Sequence, residues 1–261
     1  MRIVTCVKAV KSELADLSSS SDELLTLNPY DNFALKDAIR VKEQCFEKKE
    51  DCEIVCLTMG TMASQDVLTK CYAYGADRSV LLSDKRFGGA DTVATTYAMQ
   101  QYFQKTGIPS LIVCGQKSID GETGQVVYGL ARRLQIPCVV GVKNIVEITE
   151  EYAVLNVSDN HTSEEVKVSL PAVISYKEFT IKQSAFSLLK LKQAKRKEIE
   201  ILDLDAIEAS EEKCGIKGSK TKVNGIASNL TRKAEKQVVI NGIEELDVVF
   251  ELVDKYRIEG K

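Results

Sequence analysis

Apolar residues in this chain recur with two different periods, and the change from one to the other divides it. Up to about residue 134, short β-branched runs alternate with longer segments whose apolar positions return every three or four residues. That is the pattern of a parallel sheet wound by crossover helices. Strands are predicted at Met1 to Val7, Glu53 to Thr58, Ser79 to Leu82 and Ser110 to Cys114. Helices are predicted at Tyr30 to Lys48, with Ala34, Leu35, Ala38, Ile39 and Val41 on the inner face, and at Met62 to Tyr74, Asp91 to Lys105 and Glu122 to Leu134. A doubly wound sheet binds ligands at the carboxyl ends of its strands, so the loops after Val7, Thr58 and Cys114 are the ones to inspect.

Beyond Pro137 the period falls to two. Gly141 to Ile148, Tyr152 to Asp159 and Glu164 to Ser169 alternate like antiparallel strands, with Asp159 and Asn160 turning the last pair, and Leu170 to Ser175 follows as an apolar strand. From Tyr176 the chain becomes rich in Lys and Glu and loses its strand pattern, which predicts an extended arm with short helices lying on a partner. A final helix at Gly242 to Lys255 carries Ile243, Leu246, Val249, Phe250 and Val253 as a stripe that needs covering. The fold class is thus α/β: a doubly wound, mostly parallel sheet in residues 1–176 with an antiparallel extension, then an extended C-terminal arm and helix in 177–261.

Composition narrows the chemistry. With 35 Lys and Arg against 38 Asp and Glu, the net charge of -3 gives no basic excess for nucleic acid or anionic lipid. No apolar run approaches the roughly 20 residues that span a bilayer, and the first strand starts without a signal-peptide layout, so a cytoplasmic protein is expected. The eight cysteines include no C-x-x-C pair, which points to small buried side chains rather than a metal or cluster site. A single histidine, His161, removes most His-based catalytic schemes, and neither G-x-S-x-G nor a paired-carboxylate site is present.

The most informative stretch runs from Val113 to Val126: Val-Cys-Gly-Gln-Lys-Ser-Ile-Asp-Gly-Glu-Thr-Gly-Gln-Val. A strand ending at Cys114, glycines at 115, 121 and 124 and a helix starting near Glu122 or Thr123 would cradle a phosphate. The same residues also suit a plain tight turn with an Asp helix cap. The stretch is neither a Walker A loop nor G-x-G-x-x-G. Asn28-Pro29-Tyr30-Asp31 fits a helix start, and Phe87 to Thr92 a loop with an Asp-Thr helix entry. Lys8, at the end of the first strand, faces either solvent or an anion.

Taken together, these segments resemble the beta subunit of electron-transfer flavoproteins. Cys6-Val-Lys-Ala-Val10, Asn28-Pro-Tyr-Asp-x-x-Ala-Leu35, Met59-Gly60, Gly75-Ala-Asp-Arg78, Gly88-Gly-Ala-Asp-Thr-x-Ala-Thr95, Gly115 to Val126 and Leu170-Pro-Ala-Val-Ile-Ser175 occur in that family's order across about the first 180 residues. The resemblance implies an adenine-nucleotide-binding α/β domain whose arm wraps a larger alpha subunit carrying an electron-transferring FAD. Simple members hold AMP in the beta site; bifurcating members hold a second FAD that takes a hydride from NADH and divides its electrons between two paths, one toward a low-potential acceptor such as ferredoxin. The Asn-Pro-Tyr-Asp and Asp-Gly-Glu-Thr-Gly-Gln forms are similar to the bifurcating and nitrogen-fixation-type branch, which favours FAD over AMP.

Carried over by position, the resemblance places Cys6, Val7, Lys8, Ala9 and Asn28 against adenosine, Met59 and Gly60 beside the nucleotide, and Gly115 with Asp120, Gly121, Glu122, Thr123, Gly124 and Gln125 at the phosphates. Gly88, Gly89, Ala90, Asp91, Thr92 and Thr95 would lie near an isoalloxazine. For docking a partner dehydrogenase, Ser187, Leu188, Ala194 and Lys195 survive from the family's recognition loop, but its arginine, two prolines and glycine do not. That departure leaves room for a flavin dehydrogenase of hydroxy-acid rather than acyl-CoA type. A stress-type or ATP-pyrophosphatase nucleotide module shares the topology, but the pyrophosphatase loop Ser-Gly-Gly-x-Asp-Ser is missing.

Overall fold

The computed structural model describes residues 1–11, 25–158, 162–177 and 186–221. The predicted turn at Asp159 and Asn160, His161 and the predicted helix at 242–255 lie outside these residues.

Nine strands form one sheet. In chain order the elements are β1 (Arg2–Cys6), β2 (Ala9–Lys11), β3 (Leu25–Leu27), α1 (Pro29–Glu47), β4 (Glu53–Met59), α2 (Gln65–Tyr74), β5 (Arg78–Leu82), α3 (Thr92–Thr106), β6 (Leu111–Gly115) and α4 (Val126–Leu134). There follow β7 (Cys138–Ile148), β8 (Tyr152–Ser158), β9 (Ser163–Ser169), β10 (Ala172–Tyr176), α5 (Leu188–Ala194), β11 (Glu200–Leu202) and α6 (Gly215–Gly218). The large sheet runs β11-β5-β4-β1-β6-β10-β7-β8-β9, and β2 with β3 makes a small separate pair. All neighbours from β11 to β7 are parallel, and β7-β8-β9 is antiparallel.

Both faces are covered because the parallel strands are apolar throughout. On one face Ile3, Ile54, Cys56, Leu81, Val113 and Ile174 pack with Leu35, Ala38 and Val41 of α1 and Leu68 of α2. On the other, Val4, Leu57, Val80, Ile112 and Val173 pack with Phe103 of α3 and Leu130 of α4. The close approach of α4 to α3 depends on Gly129, where a Cβ would sit 2.8 Å from Thr96 Cγ2. A buried cluster then fixes α1 to the far strands. Asp37 accepts from the Tyr176 hydroxyl at 2.5 Å and the Ile145 amide at 2.8 Å, and pairs with Arg40 at 2.6 Å.

Three expectations need correction. The helix expected from Glu122 or Thr123 begins at Val126, because Glu122 and Gly124 adopt left-handed backbone, at φ 50° and φ 62°, that a right-handed helix cannot contain. The strand expected from Gly141 begins at Cys138, and its first residues run parallel to β10 before the antiparallel part. The positive φ of 77° at Gly141 makes the change possible: the ladder passes from Ser175 opposite Val140 to Tyr176 opposite Val142, leaving Gly141 bulged. Finally, the stretch after Tyr176 is not strandless. Glu200–Leu202 joins the sheet beside β5, and Leu204, Ile207 and Cys214 are buried against the α3 face. A three-residue strand that itself begins with Glu and is followed by Asp is too short to show a period.

No described helix is long and apolar enough to cross a membrane.

Candidate functional site at the carboxyl edge

Strand order reverses between β1, whose chain goes on toward β4 and β5, and β6, whose neighbours lie on the opposite side. Loops leaving the carboxyl ends of such a pair diverge and open a crevice. Here one aspartate holds the two ends together. Asp31, in the first turn of α1, accepts from the Lys8 amide at 2.8 Å and from the Gly115 amide at 3.1 Å. A Cβ on Gly115 would lie 2.6 Å from that of Tyr30, so only glycine lets β6 end this close to α1. Asn28 extends the tie: its Nδ2 donates to the Lys117 carbonyl at 2.9 Å and its Oδ1 accepts from the Ile119 amide at 3.3 Å. Asp31 is 6% exposed, and burial pushes its carboxyl up to about 7 against the opposing pull of Asn28 and the Lys8 and Gly115 amides.

Between Gly115 and α4 the chain makes a ten-residue loop, 116–125. Lys8 Nζ meets Asp120 Oδ1 at 2.7 Å, and Lys117 Nζ meets Glu122 Oε1 at 3.2 Å. Left-handed backbone at Glu122 and Gly124, on either side of Thr123, is the alternation that turns successive N–H groups into an anion-binding concavity. The amides of Thr123, Gly124 and Gln125 donate to no acceptor among the described residues.

An open cleft of about 750 Å³ adjoins this loop, lined by Glu122 to Gln125 and by Tyr30, Tyr128, Val140, Val157 and Ser175 among others. Its size falls in the range of small-molecule sites, roughly 300 to 1,000 Å³. Hydrogen bonds tie Lys8, between Val7 and Ala9, together with Asn28 and Gly115 to Asp31 and the loop, but of the predicted residues around it only Glu122 to Gln125 line the cleft. Cys6 is buried beneath it, 7% exposed, as the in-register partner of Cys114. Met59 and Gly60 end β4, and Gly60 donates to the Leu82 carbonyl at 3.0 Å; neither lines the cleft.

The loop from Gly88 to Thr95 is differently employed. Asp91 caps α3 by accepting from the Val93 and Ala94 amides at 2.9 and 3.0 Å. Its other oxygen accepts from the Lys220 and Thr221 amides at 2.6 and 3.0 Å. The Ile216 amide donates to the Gly88 carbonyl at 3.1 Å, and the Ile216 side chain fills the space a Cβ on Gly89 would need. Residues 204–221 thus form a strap over this loop, and none of Gly88, Gly89, Ala90, Asp91, Thr92 and Thr95 lines the cleft. Of the docking candidates, Ser187 caps α5 by accepting from the Lys190 amide at 3.2 Å, Leu188 is 85% exposed, Ala194 is buried and Lys195 ends the helix.

Sequence reasoning missed the walls contributed by Val140, Val157 and Ser175, because only the register of β7, β8 and β10 brings them to α4. It also missed Asp31, although the Asn28-Pro-Tyr-Asp31 segment contained it. Eight free cysteines are present, with Cys138 exposed, and among the described residues no group of His, Cys, Asp and Glu could hold a metal ion.

The model of the electron transfer flavoprotein domain matches residues 20–207. Protein FixA of Sinorhizobium fredii is 32% identical, covering 97% of this chain and 92% of that protein. The electron transfer flavoprotein subunit beta of Thermoanaerobacterium thermosaccharolyticum is 31% identical, with 85% of each chain covered. The caffeyl-CoA reductase-Etf complex subunit CarD of Acetobacterium woodii is 30% identical over 85% of this chain and 86% of that one. A family match over most of the chain, joined to relatives of beta-subunit type along nearly its whole length, makes this chain a beta-type electron transfer subunit of the electron transfer flavoprotein family.

Proposed function

We propose that this chain pairs with an alpha subunit in a cytoplasmic heterodimer and holds FAD in the cleft beside loop 116–125, where the cofactor meets NADH. The observation that carries the reading is the loop 116–125, which leaves β6 beside the strand reversal and opens onto a cleft of about 750 Å³ walled by α4 and strands β7, β8 and β10. The residues fit a nucleotide diphosphate: three amides that donate to no acceptor among the described residues, the Lys8 ammonium paired to Asp120 of the same loop and a glycine at 124 whose φ of 62° the loop requires.

Bound FAD would supply two-electron acceptance from NADH and onward passage of electrons, in a bifurcating scheme both to the alpha subunit and to a low-potential acceptor such as ferredoxin. The chain's own part is to bind and shield. The amides of Thr123 to Gln125 would meet phosphate oxygens, and Lys8 would exchange part of its pairing with Asp120 for the same charge. Tyr128, Val140 and Val157 offer apolar wall against a ring. Outside the stretch 200–214, which packs on this chain's own sheet, the segment 177–261 would pack on the alpha subunit and present Leu188 to a flavin-dependent dehydrogenase of acyl-CoA or hydroxy-acid type. Two relatives bear names that couple such a subunit to an acyl-CoA-type reductase, the caffeyl-CoA reductase-Etf subunit and the acryloyl-CoA reductase electron transfer subunit gamma of Anaerotignum propionicum.

A second reading puts AMP in the cleft as a structural filler, and one observation favours it. Gly88 to Thr95, the segment expected at an isoalloxazine, lies under the strap and not in the cleft wall. Mixing the co-purified heterodimer with NADH under anaerobic conditions separates the readings. Bleaching of flavin absorbance within the mixing experiment supports a redox-active beta site, and unchanged absorbance supports AMP.

A further inference from the structure

Ser175 lies in β10 between Cys114 of β6 and Val140 of β7, its in-register neighbours. It is 1% exposed, and its hydroxyl has no hydrogen-bond partner among the described residues. Native interiors leave few polar groups in that state, since a buried donor without an acceptor keeps the full cost of losing water. Thr5 and Tyr74 carry comparable hydroxyls, but neither residue lines the cleft, whereas Ser175 does.

The surroundings say what kind of group the hydroxyl awaits. Tyr128 of α4, Val140 of β7 and Val157 of β8 line the same cleft, an aromatic and two β-branched side chains suited to the faces of a flat ring. The bulge at Gly141 interrupts the β7–β10 ladder beside Ser175, and both residues line the cleft. The loop Glu122 to Gln125 lines the cleft as well, which puts a phosphate-binding element and a ring-binding wall in one cavity.

We infer that Ser175 is a ligand-recognition residue whose hydroxyl hydrogen-bonds a polar atom of the nucleotide held in the cleft, its ring covered by Tyr128, Val140 and Val157. This rests on the nucleotide reading given above and adds a contact that the resemblance did not assign. In the protein alone the unpaired hydroxyl costs stability, and a ligand atom that pairs with it removes that cost.

The test uses the complete heterodimer freed of nucleotide, titrated calorimetrically with AMP and with FAD. Ser175→Ala is expected to weaken whichever ligand the wild type binds by about 5- to 10-fold, the size of one lost hydrogen bond. The melting temperature of the nucleotide-free variant is expected to equal or exceed that of the wild type. Tyr128→Ala, at a half-exposed position, is expected to weaken the same ligand by a similar factor. Unchanged affinity in Ser175→Ala overturns the proposal, as does an affinity loss accompanied by a lower melting temperature without ligand, which would assign the residue to packing. Failure of the wild type to bind either ligand overturns the nucleotide reading itself.

Discussion

Two loops at the carboxyl edge of one sheet each gather around a single aspartate, and they use it in opposite ways. Asp31 is buried under the crevice between β1 and β6 and accepts two amides from different strand ends. Asp91 lies nearer water and accepts four amides, two from the helix it caps and two from the strap. For both, burial is the largest influence and favours the neutral acid. In Asp31 it wins and pushes the carboxyl up to about 7; in Asp91 the amides of Ala94, Thr221 and Lys220 with the Thr221 hydroxyl outweigh it and hold the carboxyl below its ordinary value. Extra donors near solvent make a permanently charged clamp, whereas fewer donors in a dry site leave a group that titrates near neutrality. The first arrangement closes a surface, and the second keeps a crevice in shape without filling it.

The largest effect should come from closing the crevice by force. Gly115→Val brings a branched side chain against Tyr30 and Asp31, and about 3 kcal/mol of destabilisation is expected, with loss of bound nucleotide. Urea denaturation of the heterodimer and nucleotide release after heating measure both.

Next is the pH dependence belonging to Asp31. Its native carboxyl holds a proton up to about 7 and its unfolded counterpart only to about 3.8, so between these values the folded state binds more protons. Stability therefore falls as pH rises through that window and is level above it, by about 4 kcal/mol over the whole window and on the order of 2 to 3 kcal/mol between pH 5 and pH 8. In Asp31→Asn the decline should vanish, and parallel denaturation curves for the two proteins at pH 5 and pH 8 show whether it does.

Asp91→Ala removes a helix cap and the anchor of the strap together, for which about 2 kcal/mol is expected. Limited proteolysis should cut near Lys217 or Lys220 in the variant first, while affinity for AMP in the cleft stays within about 2-fold because Asp91 does not line it. A large affinity loss would merge the two regions that the structure separates.

The smallest stability effect belongs to Lys8→Met. Lys8 and Asp120 are each 46% exposed, so their pairing contributes about 0.5 kcal/mol at most. Nucleotide affinity should nevertheless drop about 10-fold at low salt and much less at high salt, a split that calorimetry at two ionic strengths resolves.

How much of this was readable in the residues differs between the same two regions. The wound sheet was legible because β1, β4, β5 and β6 are mostly apolar, β-branched runs, and the helices show an inner face, as Ala34, Leu35, Ala38 and Val41 of α1 do. That a loop follows β6 was legible from the glycines at 115, 121 and 124. The helix start was not, since left-handed backbone at Glu122 carries no residue-type signal: glycine announces it at 124, but glutamate does not. The cleft walls at Val140, Val157 and Ser175 depend on a bulge at Gly141 that sets register, and one glycine in an apolar run says nothing about which ladder it interrupts. The strap was missed for the opposite reason. Leu204, Ile207 and Cys214 are sparse in a Lys- and Glu-rich stretch, and their burial follows from Asp91 and Arg86 holding the chain there, as in the Arg86 pair with Asp205 at 2.8 Å.

The central claim, an FAD held in the cleft beside loop 116–125 of a beta-type subunit, is tested most directly by denaturing the co-purified heterodimer and quantifying the FAD and AMP released. Two FAD and no AMP per heterodimer is the predicted result. One FAD with one AMP would contradict it and leave this chain as the structural half of a simple electron carrier.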